Sequence, residues 1–270
     1  MKSRLAGLTL SLLAVFAVMA AIRPRMQSAS SVTGPARTPV VVELFTSEGC
    51  SSCPPADHLL IRMAEQQPIE NAEVIALEEH VDYWNELGWV DPFSSGEWTA
   101  RQQVYAGVLG NGNVYTPQMV VDGKTEFVGS QSRKAWQAVE QAASQQKAPV
   151  TVRFTNSPDA STENLSVTID RLPEVGHRDT AEVWLAVTET GLRSAVKRGE
   201  NAGGDLHHAA VVRSIQKVGE AKAGGQTSFS GDATVTLRAP WKRENLHAVV
   251  FVQEKKSRRI LGAAAVPVAR

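Results

Sequence analysis

The chain has 270 residues, balances 28 lysines and arginines against 28 aspartates and glutamates, and is 43% hydrophobic. No basic run is interleaved with aromatics, so the composition points away from nucleic acid and anionic polymers as partners. There is no internal repeat and no metal-type cysteine series, because the only two cysteines form a single CxxC.

The N-terminus reads as a secretory signal over residues 1–26. Lys2 and Arg4 precede an apolar stretch from Leu5 to Ile22, and Val18 and Ala20 suit cleavage after Ala20. The stretch is also long enough to span a bilayer, and Arg23 and Arg25 just beyond it keep an uncleaved membrane anchor as the alternative. No cysteine lies near the cleavage site, which excludes lipoprotein attachment. A polar Ser/Thr/Pro tether follows over residues 27–38. The expected location is the periplasm or the extracellular space, where paired thiols persist as a disulfide. About 230 residues remain, enough for two modest domains.

From Val40, strands and helices alternate. Val40 to Thr46 reads as a buried strand, and the Cys50 loop leads into a helix carrying Leu59, Leu60 and Met63 on one face. Val74 to Leu77 is a second strand, and the helix between them makes a βαβ unit with parallel strands. Within Glu78 to Asn113, Ser94 or Ser95 is placed to cap a helix whose Trp98, Gln102, Tyr105 and Val108 form a mostly apolar stripe. Gln118 to Val121, an Asp122-Gly123 turn and Glu126 to Val128 form a hairpin. Ser130 or Ser132 opens a last amphipathic helix with Trp136, Val139 and Ala143. The predicted order over residues 39–148 is β-α-β-α-β-β-α.

Beyond Pro149 the period changes to two. Val150, Val152 and Phe154 alternate. Further strand candidates are Leu165 to Ile169, Val183 to Val187, Val211 to Ile215, Val235 to Leu237, Ala248 to Val252 and Ile260 to Val266. Seven short strands with turn-rich gaps over residues 149–270 predict an antiparallel sandwich of the immunoglobulin-like kind without its inter-sheet disulfide, with a partly open barrel as the rival.

Cys50 and Cys53 stand in Glu48-Gly49-Cys50-Ser51-Ser52-Cys53-Pro54-Pro55, directly after the first strand. Such a pair can be a staple, a metal ligand set or an electron carrier. As a staple it is weak: closing a loop this small stabilises a fold by about 2 kcal/mol, against about 3 for a fifteen-residue loop. On an exposed corner between strand and helix, one sulfur can attack a mixed disulfide and the other resolve it. Cys50 is the candidate nucleophile, because the first sulfur of such a pair lies near free helix amides, and Cys53 is the resolving thiol. Glu48 and Asp57 oppose thiolate formation, no Lys or Arg lies between residues 38 and 61, and Pro54 delays the helix start, so only a moderately acidic thiol is expected.

The order of elements, the CxxC after the first strand, and Thr116-Pro117 just before the hairpin together resemble the thioredoxin-like superfamily. More narrowly, the run from Glu43 to Asp57, then His80-Val81-Asp82-Tyr83-Trp84, Gly88-Trp89 and the run from Val114 to Gly123 look like an uncharacterised family of secreted bacterial proteins, domain of unknown function 1223. Glu79 departs from that pattern, which has an aromatic or small residue there. The resemblance implies an α/β thioredoxin-like domain followed by the β-sandwich, a cis bond before Pro117, and Thr116 and Pro117 pairing with an incoming substrate chain. It brings no established substrate and no cofactor.

His80 and Asp82 follow the second strand at its carboxyl end, where open α/β sheets place ligands, and are candidates for a proton shuttle or a substrate cleft; a structural hydrogen-bonding pair is the plainer reading. Trp84 and Trp89 suit either an apolar platform beside the sulfurs or core packing. Glu43 resembles in type the buried acid of thioredoxin, one residue farther from the first cysteine. His207-His208 reads as a solvated edge, since adjacent strand residues face opposite sides and both rarely reach one ion. Three functions follow: an exported thiol-disulfide oxidoreductase acting on protein or small-molecule thiols, a soft-metal (copper) carrier with the two thiolates as ligands, and an envelope binding module with a dormant disulfide. A membrane partner arises only with an uncleaved signal.

Overall fold

In the computed structural model, which describes residues 37–110, 112–155, 157, 159 and 161–268, one crossover sets the frame. β1 (Thr38–Thr46) and β2 (Ala72–His80) pair in parallel from Thr38↔Ala72 to Thr46↔His80, with α1 (Pro54–Gln66) between them. The secretory signal and nearly all of the tether lie outside the described residues. α1 opens at Pro54-Pro55, where a missing amide hydrogen costs nothing, and stops at Gln67 in the left-handed conformation. After β2, α2 (Gly96–Leu109) is capped by Ser95, whose hydroxyl accepts the Glu97 N–H. β3 (Gln118–Val121) lies antiparallel to β1 and turns through Asp122-Gly123 into β4 (Thr125–Val128), and α3 (Ser132–Ala143) follows.

Strands β1 and β2 are covered on both faces, which is why they read as continuous apolar runs. Val40, Val42 and Leu44 pack with Leu59, Leu60 and Val139 from α1 and α3. Val41, Ile75 and Leu77 pack with Trp98 of α2 on the other side.

Among the described residues, nine strands follow α3: β5 (Val150–Phe154), β6 (Thr162–Asp170), β7 (Ala181–Glu189), β8 (Leu192–Ala195), β9 (Asp205–His208), β10 (Val211–Ala221), β11 (Thr227–Thr236), β12 (Leu246–Glu254) and β13 (Ile260–Pro267). Here the expected fold class is corrected. Instead of an α/β thioredoxin-like domain followed by a separate immunoglobulin-like sandwich, the chain is mostly β, and strands from both halves share one mixed eight-stranded sheet in the order β13-β12-β7-β10-β2-β1-β3-β4. The halves join where Val211 of β10 pairs in parallel with Glu78 of β2, and the Glu78 N–H donates to the Ala210 carbonyl at 3.0 Å. β5, β6 and β11 form a three-stranded sheet that encloses Leu165, Val167, Ile169, Leu185 and Val250, while β8 and β9 make a hairpin of their own. Period-two patterning locates a strand but carries no information about its neighbour, so a sheet continued across the two halves was not visible in it. No helix among the described residues is long and apolar enough to cross a membrane.

Candidate functional site

Cys50 and Cys53 are joined as a disulfide across the turn between β1 and α1, with their Cα atoms 5.4 Å apart. Backbone bonds build that turn: Cys50 N–H donates to Ser47 O and Cys53 N–H to Cys50 O, both at 3.1 Å. The exposed corner expected from the sequence is occupied by Ser51 and Ser52, while both cysteines are buried. The segment between β8 and β9 is hydrogen-bonded to this turn. Asn201 Nδ2 donates to the Glu48 and Cys50 carbonyls at 2.9 and 3.0 Å, and Ser51 donates its N–H and hydroxyl to Glu200 Oε2 at 3.1 and 2.6 Å. Gly199, at φ +80°, passes so close to Trp89 that an added Cβ would meet the Trp89 Cβ at 3.1 Å.

The Thr116-Pro117 bond is cis, at the entry to β3. Trp84 links this turn to the disulfide turn: its indole Nε1–H donates to Thr116 Oγ1 at 2.8 Å, and its Cβ stands 3.1 Å from where a side chain on Gly49 would begin. Gly129 lies behind Pro117, and a Cβ there would come within 2.8 Å of Leu44 and 3.3 Å of Pro117 Cβ. Cys50, Cys53, Trp84, Thr116 and Pro117 therefore belong to one connected corner. Asp82 does not join it. Its carboxylate accepts from Thr99 Oγ1 at 2.6 Å and faces the start of α2.

His80 also departs from the expected substrate cleft, because it is wholly buried in a network of acids next to the disulfide turn. Glu48, Asp57, Glu78, His80, Asp91 and His208 are each at most 3% exposed. His80 Nδ1 is 2.7 Å from Asp91 Oδ2, and His208 spans Glu78 Oε1 (2.9 Å from Nδ1) and Glu48 Oε1 (3.1 Å from Nε2). Trp89 Nε1–H donates to Glu48 Oε2 at 2.8 Å, the Glu48 N–H donates to Asp91 Oδ2 at 2.8 Å, and Thr46 Oγ1 donates to Asp57 Oδ1 at 2.6 Å. The Ala209 N–H completes Glu78 by donating to its Oε2 at 2.8 Å.

These contacts set the ionisation. Burial, then the nearby Glu78 charge, pushes the Asp57 carboxyl up to about 7. Burial also works to raise Glu78 and is outweighed by the charge and hydrogen bond of His208, which hold it below the usual range. Burial works to lower both imidazoles. The Asp91 carboxylate overrides it at His80, which sits well above its ordinary value, and Glu78 overrides it at His208, raised to about 9. Asp57 follows Cys53, the residue that opens α1, by one helical turn and donates its N–H to the Cys53 carbonyl at 3.2 Å, so a carboxyl raised to about 7 lies one turn from the disulfide.

His208 corrects the solvated-edge reading of the adjacent histidines. His207 is exposed and lies 3.6 Å from Asp205, whereas His208 points inward. The alternation that separates the two side chains also requires one of them to face the interior when the hairpin is packed, and this was the available signal. Glu48 and Asp57, read from sequence only as opposing charge, belong to the same network, and Asp91 carried no signal of its own. Glu43 faces the other side of β1, where Arg101 Nε donates to its Oε2 at 2.6 Å.

The chain belongs to a protein family of unknown function, DUF1223, which matches residues 41–253. It is similar to a crystallographically determined protein from Agrobacterium tumefaciens, with 27% identity and a TM-score of 0.62 over 86% of this chain and 96% of that one. It also shares its fold with HBP35 of Porphyromonas gingivalis, at 17% identity and a TM-score of 0.62 over 88% of this chain and 77% of that one. No curated protein matches it significantly in sequence.

Proposed function

We propose that the protein is an exported thiol-disulfide oxidoreductase, with Cys50 as the attacked and attacking sulfur and Cys53 as the resolving one. The observation that carries this reading is the Cys50–Cys53 disulfide at a strand-to-helix turn, tied through Trp84 to the cis Thr116-Pro117 turn. Kinship with the thioredoxin-like superfamily is proposed on this corner alone. Export is proposed on the N-terminal pattern and on the disulfide, which persists in an oxidising compartment.

In the oxidising direction, a substrate thiolate attacks Cys50 Sγ, the Cys50–Cys53 bond breaks, and Cys53 leaves with the electron pair and takes up a proton. A second substrate thiolate then attacks the substrate sulfur of the mixed disulfide and expels Cys50. The substrate gives up two electrons in forming its disulfide, and the protein holds them as two thiols. The reverse sequence reduces a substrate disulfide. Thr116, Pro117 and Trp84 are the side on which a peptide would lie, and residues 199–201 must shift to admit it to Cys50.

A Cys53→Ser variant tests the order of the sulfurs. Incubated with glutathione disulfide, it is expected to accumulate one glutathione adduct on Cys50, read by intact mass. If Cys50 forms the adduct only after denaturation, the folded site does not exchange and the reading fails.

A further inference from the structure

Two imidazoles and one carboxylate in the buried network each present an atom to the same small volume. Glu78 Oε1 lies 2.9 Å from His208 Nδ1 and 3.6 Å from His80 Nε2, and the donor atoms of the three residues all lie within 4.8 Å of one another. Bonds of about 2.0–2.1 Å in tetrahedral geometry put donor atoms about 3.4 Å apart, a separation that the 2.9 and 3.6 Å sides of this triangle bracket, so an ion is reached by small rotations of the three side chains.

The outer contacts are those that metal-binding histidines use. Each imidazole has its other nitrogen held by a carboxylate, His80 Nδ1 by Asp91 and His208 Nε2 by Glu48. Such partners fix the tautomer and turn the free nitrogen toward the ion. The bond from the Ala209 N–H to Glu78 Oε2 pins that carboxylate with Oε1 toward the histidines.

A second observation points independently to a ligand. His80 Nε2 is fully buried, faces the Glu78 carboxylate, and makes no hydrogen bond, since 3.6 Å is too long for one. Buried ring nitrogens ordinarily have a partner. Three carboxylates, Glu48, Glu78 and Asp91, also surround the two rings, and a divalent ion would supply positive charge at their centre.

We propose that Glu78, His80 and His208 form a binding site for a divalent transition metal of the zinc type, with Asp91 and Glu48 orienting the two imidazoles. Nitrogen and carboxylate donors suit Zn(II) and Co(II) better than Cu(I), which prefers sulfur. The site uses neither cysteine, joins β2 of one half to β9 of the other, and stands whether or not the disulfide exchanges.

The test uses the oxidised exported chain, which has no free thiol to compete, stripped with chelator and refolded with Co(II) as the probe. One equivalent is expected to bind with the visible absorption of a four-coordinate ion, and Zn(II) is expected to displace it. His208→Asn and Glu78→Gln should each weaken Co(II) binding by more than the about ten- to hundredfold that loss of an outer partner costs. Because both substitutions fall in a buried network that also supports the fold, X-ray absorption on the Zn(II)-loaded wild type gives a second reading, with scattering from two imidazoles expected. Absence of stoichiometric uptake by the refolded wild type, uptake without imidazole scattering, or uptake unchanged in a folded His208→Asn variant would each overturn the proposal.

Discussion

Strands β1 and β2 carry a buried polar cluster on each face, and the two are built from different chemistry. On the α2 face, Glu43 is held by Arg101, Tyr105 and Gln253: Arg101 Nε donates at 2.6 Å, Tyr105 donates its hydroxyl to the other Glu43 oxygen, and Gln253 Nε2 donates to Tyr105 at 2.8 Å. Glu79 joins at 3.2 Å from Arg101, and its burial, then the Glu43 charge, keeps its carboxyl well above the usual range in spite of the guanidinium. On the opposite face, Glu78 and His80 meet His208, Asp91 and Glu48. Neighbours in one strand are thus divided between a permanent cation and two titratable rings. The first cluster locks the sheet together with a charge that never leaves, and the second gathers exchangeable protons and ligand atoms next to a disulfide.

The sharpest way to break the contrast is to remove the permanent cation. Arg101→Met leaves Glu43 buried without its partner and is expected to cost about 3–5 kcal/mol in urea unfolding. Adding Glu43→Leu should recover much of that loss, and a double variant no more stable than the single one would show that Arg101 does not act by compensating Glu43.

On the titratable face, Asp57→Asn is expected to act through pH. The folded carboxyl titrates near 7 against 3.8 in the reference state, so the native protein holds a proton that the unfolded chain releases between those values. Stability contributed in this way is complete below about pH 4 and is lost as pH rises through about 7. The amide keeps an acceptor for Thr46 and removes the ionisation. In chelator-treated protein the variant should therefore exceed the wild type in stability above about pH 7, by up to about 4 kcal/mol, and lose that advantage near about pH 4. An advantage independent of pH would contradict the assignment.

The smallest effect belongs to the link between the two turns. Trp84→Phe keeps one six-membered aromatic ring, trims the rest of the indole and deletes the hydrogen bond to Thr116, whose loss costs about 1 kcal/mol. If Thr116 and Pro117 hold a peptide, exchange with a peptide disulfide should fall more than exchange with a small dithiol. Equal losses would place Trp84 in packing only.

How much of this was legible in the sequence follows from how local each feature is. The CxxC turn, the βαβ unit, the Ser95 cap and the Asp122-Gly123 hairpin depend on a few adjacent residues, and the structure has each of them. The shared sheet depends on Val211 finding Glu78, more than a hundred residues away, and no periodicity encodes that choice. The bonds that Glu200 and Asn201 make to the disulfide turn were hidden for the same reason, since both residues arrive from the far half of the chain. The run Glu78-Glu79-His80 lies beyond the Val74 to Leu77 strand read from the sequence, and it is β10 on one side and Arg101 on the other that enclose it as the end of β2.

The proposed activity requires that the disulfide beside the titratable cluster exchange with outside thiols. The direct measurement is the rate at which the oxidised, folded protein is reduced by dithiothreitol and passes those electrons to insulin, with a Cys50→Ser variant as control. Turnover is expected in the wild type and none above background in the variant. Equal rates in the two would contradict it, and the disulfide would then be a structural feature of the turn.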